Sequence, residues 1–310
     1  MTWSTNDIPD LSGKTAAITG VTGGLGMNAA IELGRHGASL LVTARDDAKA
    51  AQAVARIAKE APGTKVEVVE LDLADLTQTK KAAAGLVDTV QHLDILINNA
   101  GVMATPKRLT VDGFELQMGT NHLGHFAWTA TLWPLLKRSN TRVVSVASLA
   151  HATVRGIDLR SLTTPGSPRR YRRWQSYGES KLANLLFAFE LDRRAKAAGL
   201  GAVSIAAHPG LATTNLTAAG PTLGGNSLPA MGMHQIVRIV GQPAAMGAWP
   251  LLMAATDSGL SGGEYIGPSR LRQTRGGPRL VGASGTARDA QLADILWTAS
   301  ESAVGTEFTV

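Results

Sequence analysis

The sequence predicts an α/β fold, a single doubly wound parallel sheet with helices on both faces. Three observations carry this. Short apolar, β-branched runs alternate with longer Ala-rich stretches through the first half of the chain, the order that builds βαβ units. The short runs are nearly continuous in apolar residues, as strands covered on both faces are. The 310 residues and 44% hydrophobic content allow a sizeable core without disulfides or a structural metal.

In order, strands are expected at 15–19, 39–43, 65–71, 93–97, 142–146 and 202–207, with a short one near 264–266. Helices are expected at 25–36, 46–60, 75–91, 111–137, 178–198 and near 244–256, and 289–302 is helix-like. Two regions break the alternation: 150–175, rich in Arg, Pro, Gly and Thr, and 211–242, rich in Gly, Pro and apolar side chains. Connections this long are usually lids, insertions or disordered segments. The expected organisation is one domain over 1–310, with an insertion at about 150–175, a substrate lid at about 211–242 and a C-terminal extension at about 268–310 that opens with a Gly/Arg-rich link. No internal repeat is visible.

Composition excludes several functions. Without cysteine there is no disulfide framework, thiolate metal site or cysteine catalysis. Met1 to Lys14 has no apolar run, and no 18-residue apolar stretch occurs anywhere; the expectation is a soluble, cytoplasmic protein without a membrane span. The formal charge of +6 is local. Six arginines and one acid, Asp158, lie between Arg155 and Arg173, and a second cluster is Arg270, Arg272, Arg275 and Arg279. Two patches are weaker evidence for nucleic-acid binding than a basic face on a recognised fold, so no nucleic-acid partner is expected.

After the first strand comes Thr19-Gly20-Val21-Thr22-Gly23-Gly24-Leu25-Gly26, then a helix. Glycines there let the chain turn and let a pyrophosphate approach the backbone, while the helix N-terminus offers free N–H groups and the positive end of its dipole. The place between strand and helix gives the string its weight, and marks Gly20, Thr22, Gly24, Leu25 and Gly26 as dinucleotide contacts in a Rossmann-type fold. The string satisfies both T-G-x-x-x-G-x-G and T-G-x-x-G-x-x-G, so it does not choose between them. The second strand ends Val42-Thr43-Ala44-Arg45-Asp46. An acid near this point suits the 2′-hydroxyl of NAD, whereas a guanidinium suits the 2′-phosphate of NADP. Arg45 therefore favours NADP(H), with NAD(H) as the alternative; the plain reading is a surface arginine paired with Asp46 or Asp47.

Tyr177-Gly178-Glu179-Ser180-Lys181 puts Tyr and Lys four apart, on one face of a helix if the segment is helical. A free phenol titrates near ~10, and an ammonium beside it favours the phenolate and lowers that value. Ser148, at the end of the fifth strand, could donate to a substrate oxygen; the carboxyl ends of strands are where such sheets place their sites.

Together these stretches resemble the short-chain dehydrogenase/reductase family, over nearly the whole chain. The motifs are Thr19–Gly26, Asp72 in Leu71-Asp72-Leu73, Asn98-Asn99-Ala100-Gly101, Asn121 in Asn121-His122-Leu123-Gly124, Ser148, Tyr177 with Lys181, and Pro209-Gly210 with Thr214. Asn98–Gly101 and the compact C-terminal part favour the T-G-x-x-x-G-x-G branch. The resemblance implies hydride transfer between NADP(H) and a carbonyl or alcohol. Tyr177 would be general acid or base. Lys181 would bond the nicotinamide ribose and lower the Tyr177 pKa. Ser148 would hold the substrate oxygen, and Asn121 would position a water that relays protons to Lys181. Asp72, with Leu73 beside it, would contact adenine, and Asn99, Ala100 and Gly101 would line the cofactor. Leu211 and Thr214, after Pro209 and Gly210, would hold the carboxamide. The helices at 111–137 and 178–198 form a common dimer surface in this family, so a homodimer or homotetramer is expected. A closer similarity is to retinol-dehydrogenase-like and protochlorophyllide-reductase-like members, carried by Ala44-Arg45-Asp46, Asn121-His122-Leu123-Gly124-His125-Phe126, Ser148-Leu149-Ala150-His151 and Ser180-Lys181-Leu182-Ala183-Asn184. Ser148 and Tyr177 stand 29 apart, about twice the commoner family spacing. The closer subgroup shares this spacing, so 150–175 reads as its insertion.

Plainer readings stand beside these. Arg169-Arg170-Tyr171-Arg172-Arg173-Trp174 reads as a solvated loop at the mouth of the site, or one that steers an anionic substrate or the cofactor phosphates. His122 and His125 read as packing residues, not metal ligands, and no metal is expected. His151 is a weak catalytic candidate. The apolar 211–242 region argues for a bulky hydrophobic carbonyl or alcohol as substrate. A non-catalytic NADP(H)-binding sensor or scaffold is the alternative function; the set Asn121, Ser148, Tyr177 and Lys181 argues against it, because a pure sensor needs no proton donor.

Overall fold

The computed structural model describes residues 3–163, 170–212 and 241–310. Seven of its strands and seven helices alternate for most of the chain. They are β1 (Thr15–Ile18), α1 (Gly24–Arg35), β2 (Ser39–Ala44), α2 (Asp47–Glu60), β3 (Val66–Glu70), α3 (Leu76–Thr89), β4 (Ile95–Asn98) and α4 (Gly124–Ser139), then β5 (Arg142–Val146), α5 (Arg173–Ala197), β6 (Val203–Ala207), α6 (Ala244–Thr256), β7 (Tyr265–Arg270) and α7 (Ala290–Val304). An eighth strand, β8 (Arg275–Leu280), precedes α7.

Successive strand residues point to opposite faces, and here each face meets its own helical layer. Ala16, Ile18, Leu40, Val42, Ile95 and Ile97 pack with α1, α2 and α6. Their neighbours Ala17, Leu41 and Leu96 pack with α3, α4, α5 and α7. Among the described residues all eight strands form one sheet in the order β3-β2-β1-β4-β5-β6-β7-β8. The ladders from β3 through to β7 are parallel. The winding reverses between β1 and β4, and a crevice opens there outside the strands' carboxyl ends.

The structure departs from expectation in three elements. The helix expected at 111–137 starts later. Gly113, at φ +84°, turns the chain, and the Glu115 carboxylate accepts the N–H groups of Gln117 and Met118. One α-turn at Leu116–Met118 and a π-turn at Gly119–Leu123 then lead into α4. Conversely, α5 begins at Arg173, five residues before the expected start at 178, so the insertion ends earlier than 175 and Tyr177 is helical. Finally, the supposed link after 268 is an antiparallel strand, β8, paired with β7. Pro278 and glycine hide it in the sequence, and an edge strand tolerates both.

Within the insertion, residues Leu149–Thr153 make a 3-10 turn and Arg160–Thr163 a helical turn. Arg169 lies outside the described residues. So does most of the expected lid at 211–242, including Thr214. Among the described residues no helix is long and apolar enough to cross a membrane.

The C-terminal extension covers what was expected to be a dimer surface. Helix α4 is buried on nearly every side, which marks a helix enclosed by others. Trp297 of α7 and the following Phe308 close an aromatic cluster over Phe126 of α4 and Phe187 of α5, with ring centroids 4.7–5.8 Å apart. An association through α4 and α5 would have to displace α7.

Candidate active site

The glycine loop is shaped by three positions. Gly20 has φ +74° and Gly24 φ +58°, conformations that favour glycine. A Cβ on Gly26 would stand 2.5 Å from the Gly20 carbonyl oxygen and 2.6 Å from Asn99 Nδ2. Gly23, the N-cap of α1, is extended. The constrained glycines are thus 20, 24 and 26, the T-G-x-x-x-G-x-G spacing. Thr19 anchors this loop to the next motif. Its hydroxyl oxygen accepts the N–H groups of Asn99 and Ala100, each at 2.9 Å, while Asn99 Nδ2 donates to the Thr19 and Gly20 carbonyls.

These groups floor a cleft of about 360 Å³, within the range of small-molecule sites. It runs across the carboxyl ends of the strands, from Arg45 and Asp72 at one end to Ser148, Tyr177 and Lys181 at the other. Gly20, Thr22, Gly24, Leu25, Leu73, Asn99, Ala100, Gly101, Pro209, Gly210 and Leu211 line it between. Arg45 pairs with Asp72 at 3.8 Å and its side chain is 68% exposed; Asp46 instead caps α2 by accepting from Lys49 N. Gly26 and Asn121 are not on the wall. Gly26 is packed beneath the loop, and Asn121 lies behind Gly101, where a Cβ would meet its Oδ1 at 2.8 Å and Lys181 Nζ at 3.7 Å. Sequence reasoning missed Lys49, Val102, Met103 and Thr120, all on the wall. Lys49 could have been found, one helical turn beyond Arg45.

Asn121 ties two elements together. Its Oδ1 accepts from Val102 N at 2.8 Å, and its Nδ2 donates to Val102 O and to Ser180 Oγ, both at 2.9 Å. Thus the loop after β4 is held to the turn of α5 that carries Tyr177 and Lys181. Lys181 Nζ donates to the Val146 carbonyl at 3.0 Å and stands 5.8 Å from the Tyr177 ring centre. Ser148 Oγ accepts from Ala150 N at 3.2 Å, and its hydroxyl is placed to favour the ionised form of Tyr177. Burial pushes the Tyr177 phenol up to about 12, with Ser148 acting the other way. Burial also brings Lys181 down to about 8. The expected lowering of Tyr177 by Lys181 is therefore not the dominant effect: desolvation, which disfavours both charged forms, outweighs it.

At the far wall, Gly210 (φ +67°) packs against the Thr274 carbonyl, which also accepts Leu211 N at 2.8 Å. Gln242 Nε2 donates to the Pro209 carbonyl and its Oε1 accepts Gly276 N, each at 2.9 Å. The turn between β7 and β8 thus fixes the segment after β6. The histidines have structural partners. His122 Nε2 meets Ser300 Oγ at 2.8 Å. His151 accepts from Ser284 N and its Nδ1 meets the Ser148 carbonyl at 2.7 Å, so it supports Ser148 from behind. The insertion docks through Tyr171, whose hydroxyl donates to the Thr105 carbonyl at 2.7 Å and accepts from Gln117 at 2.8 Å, while Arg170 is exposed.

A glycine-walled cleft over a parallel sheet, with a Ser–Tyr hydroxyl pair and a buried lysine at one end, fits a dinucleotide and a hydride-transfer site. Comparison with known proteins agrees. Residues 14–157 match the short chain dehydrogenase family. Human retinol dehydrogenase 13 is 36% identical over 303 residues, covering 96% of this chain and 86% of that protein. An uncharacterized oxidoreductase of Schizosaccharomyces pombe is 38% identical over 233 residues, 71% of this chain and 66% of the relative. The crystal structure of an uncharacterized protein from Mycobacterium Paratuberculosis aligns over 100% of both chains with a TM-score of 0.80 and 39% identity. The protein belongs to the short-chain dehydrogenase family. It is an NAD(P)-dependent oxidoreductase of retinol-dehydrogenase-like type.

Proposed function

We propose that the protein interconverts a carbonyl and an alcohol with NADP(H), on a bulky hydrophobic substrate. The observation that carries this is the meeting of Ser148, Tyr177 and Lys181 on the wall of the cleft, Tyr177 one helical turn from Lys181. Bound nicotinamide supplies or takes up the hydride. In reduction the carbonyl carbon gains that hydride and its oxygen gains the Tyr177 proton, so C=O becomes CH–OH; oxidation reverses both transfers. Burial keeps Tyr177 protonated at neutral pH, as a proton donor must be. Ser148 donates to the substrate oxygen, and Lys181 holds the nicotinamide ribose. The start of α1, with Gly20, Thr22, Gly24 and Leu25, holds the pyrophosphate, Gly26 supports that loop from beneath, and Asp72 and Leu73 flank the adenine. Asn99, Ala100 and Gly101 floor the site, and Pro209, Gly210, Leu211 and Thr214 hold the carboxamide end. The wall cations Arg45 and Lys49, with neutral Ala44 between strand and cleft, support NADP(H) over NAD(H). The apolar substrate class is supported by the relative named retinol dehydrogenase 13 and by the apolar residues of 211–242. We read 1–310 as one domain.

The test is an NADPH-coupled screen of hydrophobic aldehydes and ketones, run beside NADH, on the wild type and Tyr177→Phe. Loss of the proton donor should lower turnover by about 10²–10⁴-fold while NADPH binding, read by fluorescence, survives. A Tyr177→Phe enzyme that keeps most of its rate sinks the assignment.

A further inference from the structure

His125, on the first turn of α4, lies behind the cleft and is buried. Its Nδ1 is 3.0 Å from the Asn121 carbonyl oxygen and its Nε2 is 2.9 Å from Thr19 Oγ1. The proton positions follow from counting donors. A carbonyl oxygen only accepts, so Nδ1 carries a hydrogen. Thr19 Oγ1 already accepts two backbone N–H groups, from Asn99 and Ala100, which occupy both of its lone pairs. Its own proton is what remains to offer; the Ile97 carbonyl lies 3.4 Å away and already accepts Thr19 N at 3.0 Å, whereas Nε2, at 2.9 Å, is the nearer acceptor. Only the neutral Nδ1–H tautomer satisfies every partner, and a second ring proton would face an oxygen with no lone pair left.

We infer that His125 is a positioning residue of the proposed site, a neutral imidazole that joins the N–H groups of the cleft floor, through Thr19, to the Asn121 carbonyl in the π-turn. One hydrogen-bonded line then runs from the end of β4 through the end of β1 to the start of α4. The π-turn, whose Gly124 N–H reaches back to the Gly119 carbonyl, displaces the local helical ladder, and the imidazole holds the Asn121 backbone in place. Asn121 in turn holds Val102 and Ser180, so the register between the floor and the Tyr177–Lys181 helix is set from behind by a group that touches no substrate. The titratable groups facing the ring are His122, in the π-turn, and Lys181, on α5. Burial brings His125 down to about 4, with Lys181 adding to it and the bond to the Asn121 carbonyl opposing it.

The first arm of the test is ¹⁵N NMR of the wild-type protein with labelled histidine, the His125 signal assigned by its loss in His125→Asn. The expected signature is one protonated and one unprotonated ring nitrogen, with Nδ1 protonated, unchanged from pH 5.5 to 8. An imidazolium or an Nε2–H tautomer in that range overturns the inference. The second arm, which rests on the catalytic reading above, compares His125→Phe with His125→Asn, using NADPH and decanal or whichever aldehyde of the screen turns over. The Phe variant removes both bonds and should lose about ten- to a hundredfold in kcat with little change in the NADPH Kd. The Asn variant can still donate to the Asn121 carbonyl and should recover most of that loss. Equal kcat in the wild type and His125→Phe, or equal loss in the two variants, overturns it. If no aldehyde is reduced, the catalytic reading fails, while the tautomer arm still decides the inference.

Discussion

Replacing Arg45 by alanine should separate the two nicotinamide cofactors. The Arg45 side chain is 68% exposed and 3.8 Å from Asp72, so its charge acts in water. There a pair of unit charges about 4 Å apart is worth about 1 kcal/mol. A phosphate monoester carries about 1.5 to 2 negative charges at neutral pH, so losing the guanidinium should cost NADPH about 1.5 to 2 kcal/mol. That is a rise in KM for NADPH of about ten- to thirtyfold. NADH has no 2′-phosphate and should be nearly unaffected, or should gain slightly as Asp72 loses its partner. Steady-state kinetics at low ionic strength with both cofactors measure this, and added salt should shrink the difference because the site is open to solvent. An equal effect on both cofactors, or none on either, would refute the assignment of Arg45 to the phosphate and return it to a surface residue.

Other outcomes follow from packing and burial. His122, His125 and His208 are held neutral by burial, at about 3, about 4 and about 4, against about 6.5 in the unfolded chain. Below pH 6.5 the unfolded state therefore binds protons the folded state refuses, and stability should fall from there toward pH 4 at up to about 1.4 kcal/mol per histidine per pH unit; a urea midpoint flat between pH 7 and 5 would contradict this. Gly26→Ala should lower the unfolding free energy from urea titration by about 1–3 kcal/mol and weaken NADPH binding, because the Cβ would enter the Gly20 carbonyl; tight binding at an unchanged midpoint would count against the tight packing. Trp297→Ala should cost about 3–5 kcal/mol, since the indole meets Phe126, Phe187 and Phe308 and lies under Arg194. In sedimentation velocity the intact chain should not self-associate through α4 and α5, whereas deletion of 289–310 should produce association or aggregation. A wild-type dimer whose interface is mapped by hydrogen exchange to α4 and α5 would show that α7 does not cover that face.

Much of this was legible in the sequence, for identifiable reasons. The runs around Ile18, Val42, Ile97 and Val144 are apolar on both sides, and that alone identifies central parallel strands. Thr19–Gly26, Asn98–Gly101 and Tyr177 with Lys181 sit at strand ends or on one helix face, where short motifs keep their meaning. What stayed hidden depends on three-dimensional partners. β8 has no apolar rhythm, because only one edge of it is paired. The start of α5 is polar, since Arg173 to Gln175 face outward before the helix turns into the core. Val111 and Leu116 mimic a helical spacing that the turn at Gly113 breaks. The raised Tyr177 pKa comes from burial, which residue spacing does not record, and the placement of His125 needs Thr19, 106 residues away in sequence.

The cover formed by α7 also bears on how the chain reaches its fold. Lys80 Nζ donates to the Val304 carbonyl across 224 residues, and His122 meets Ser300 across 178. The aromatic cluster on α4 and α5 is therefore closed by a segment synthesised long after the cofactor loop. Contacts this distant in sequence slow folding, and until they form Phe126 and Phe187 stand open to other chains. On a ribosome, the nucleotide-binding half would have to wait, half-built and sticky, for the last helix to emerge.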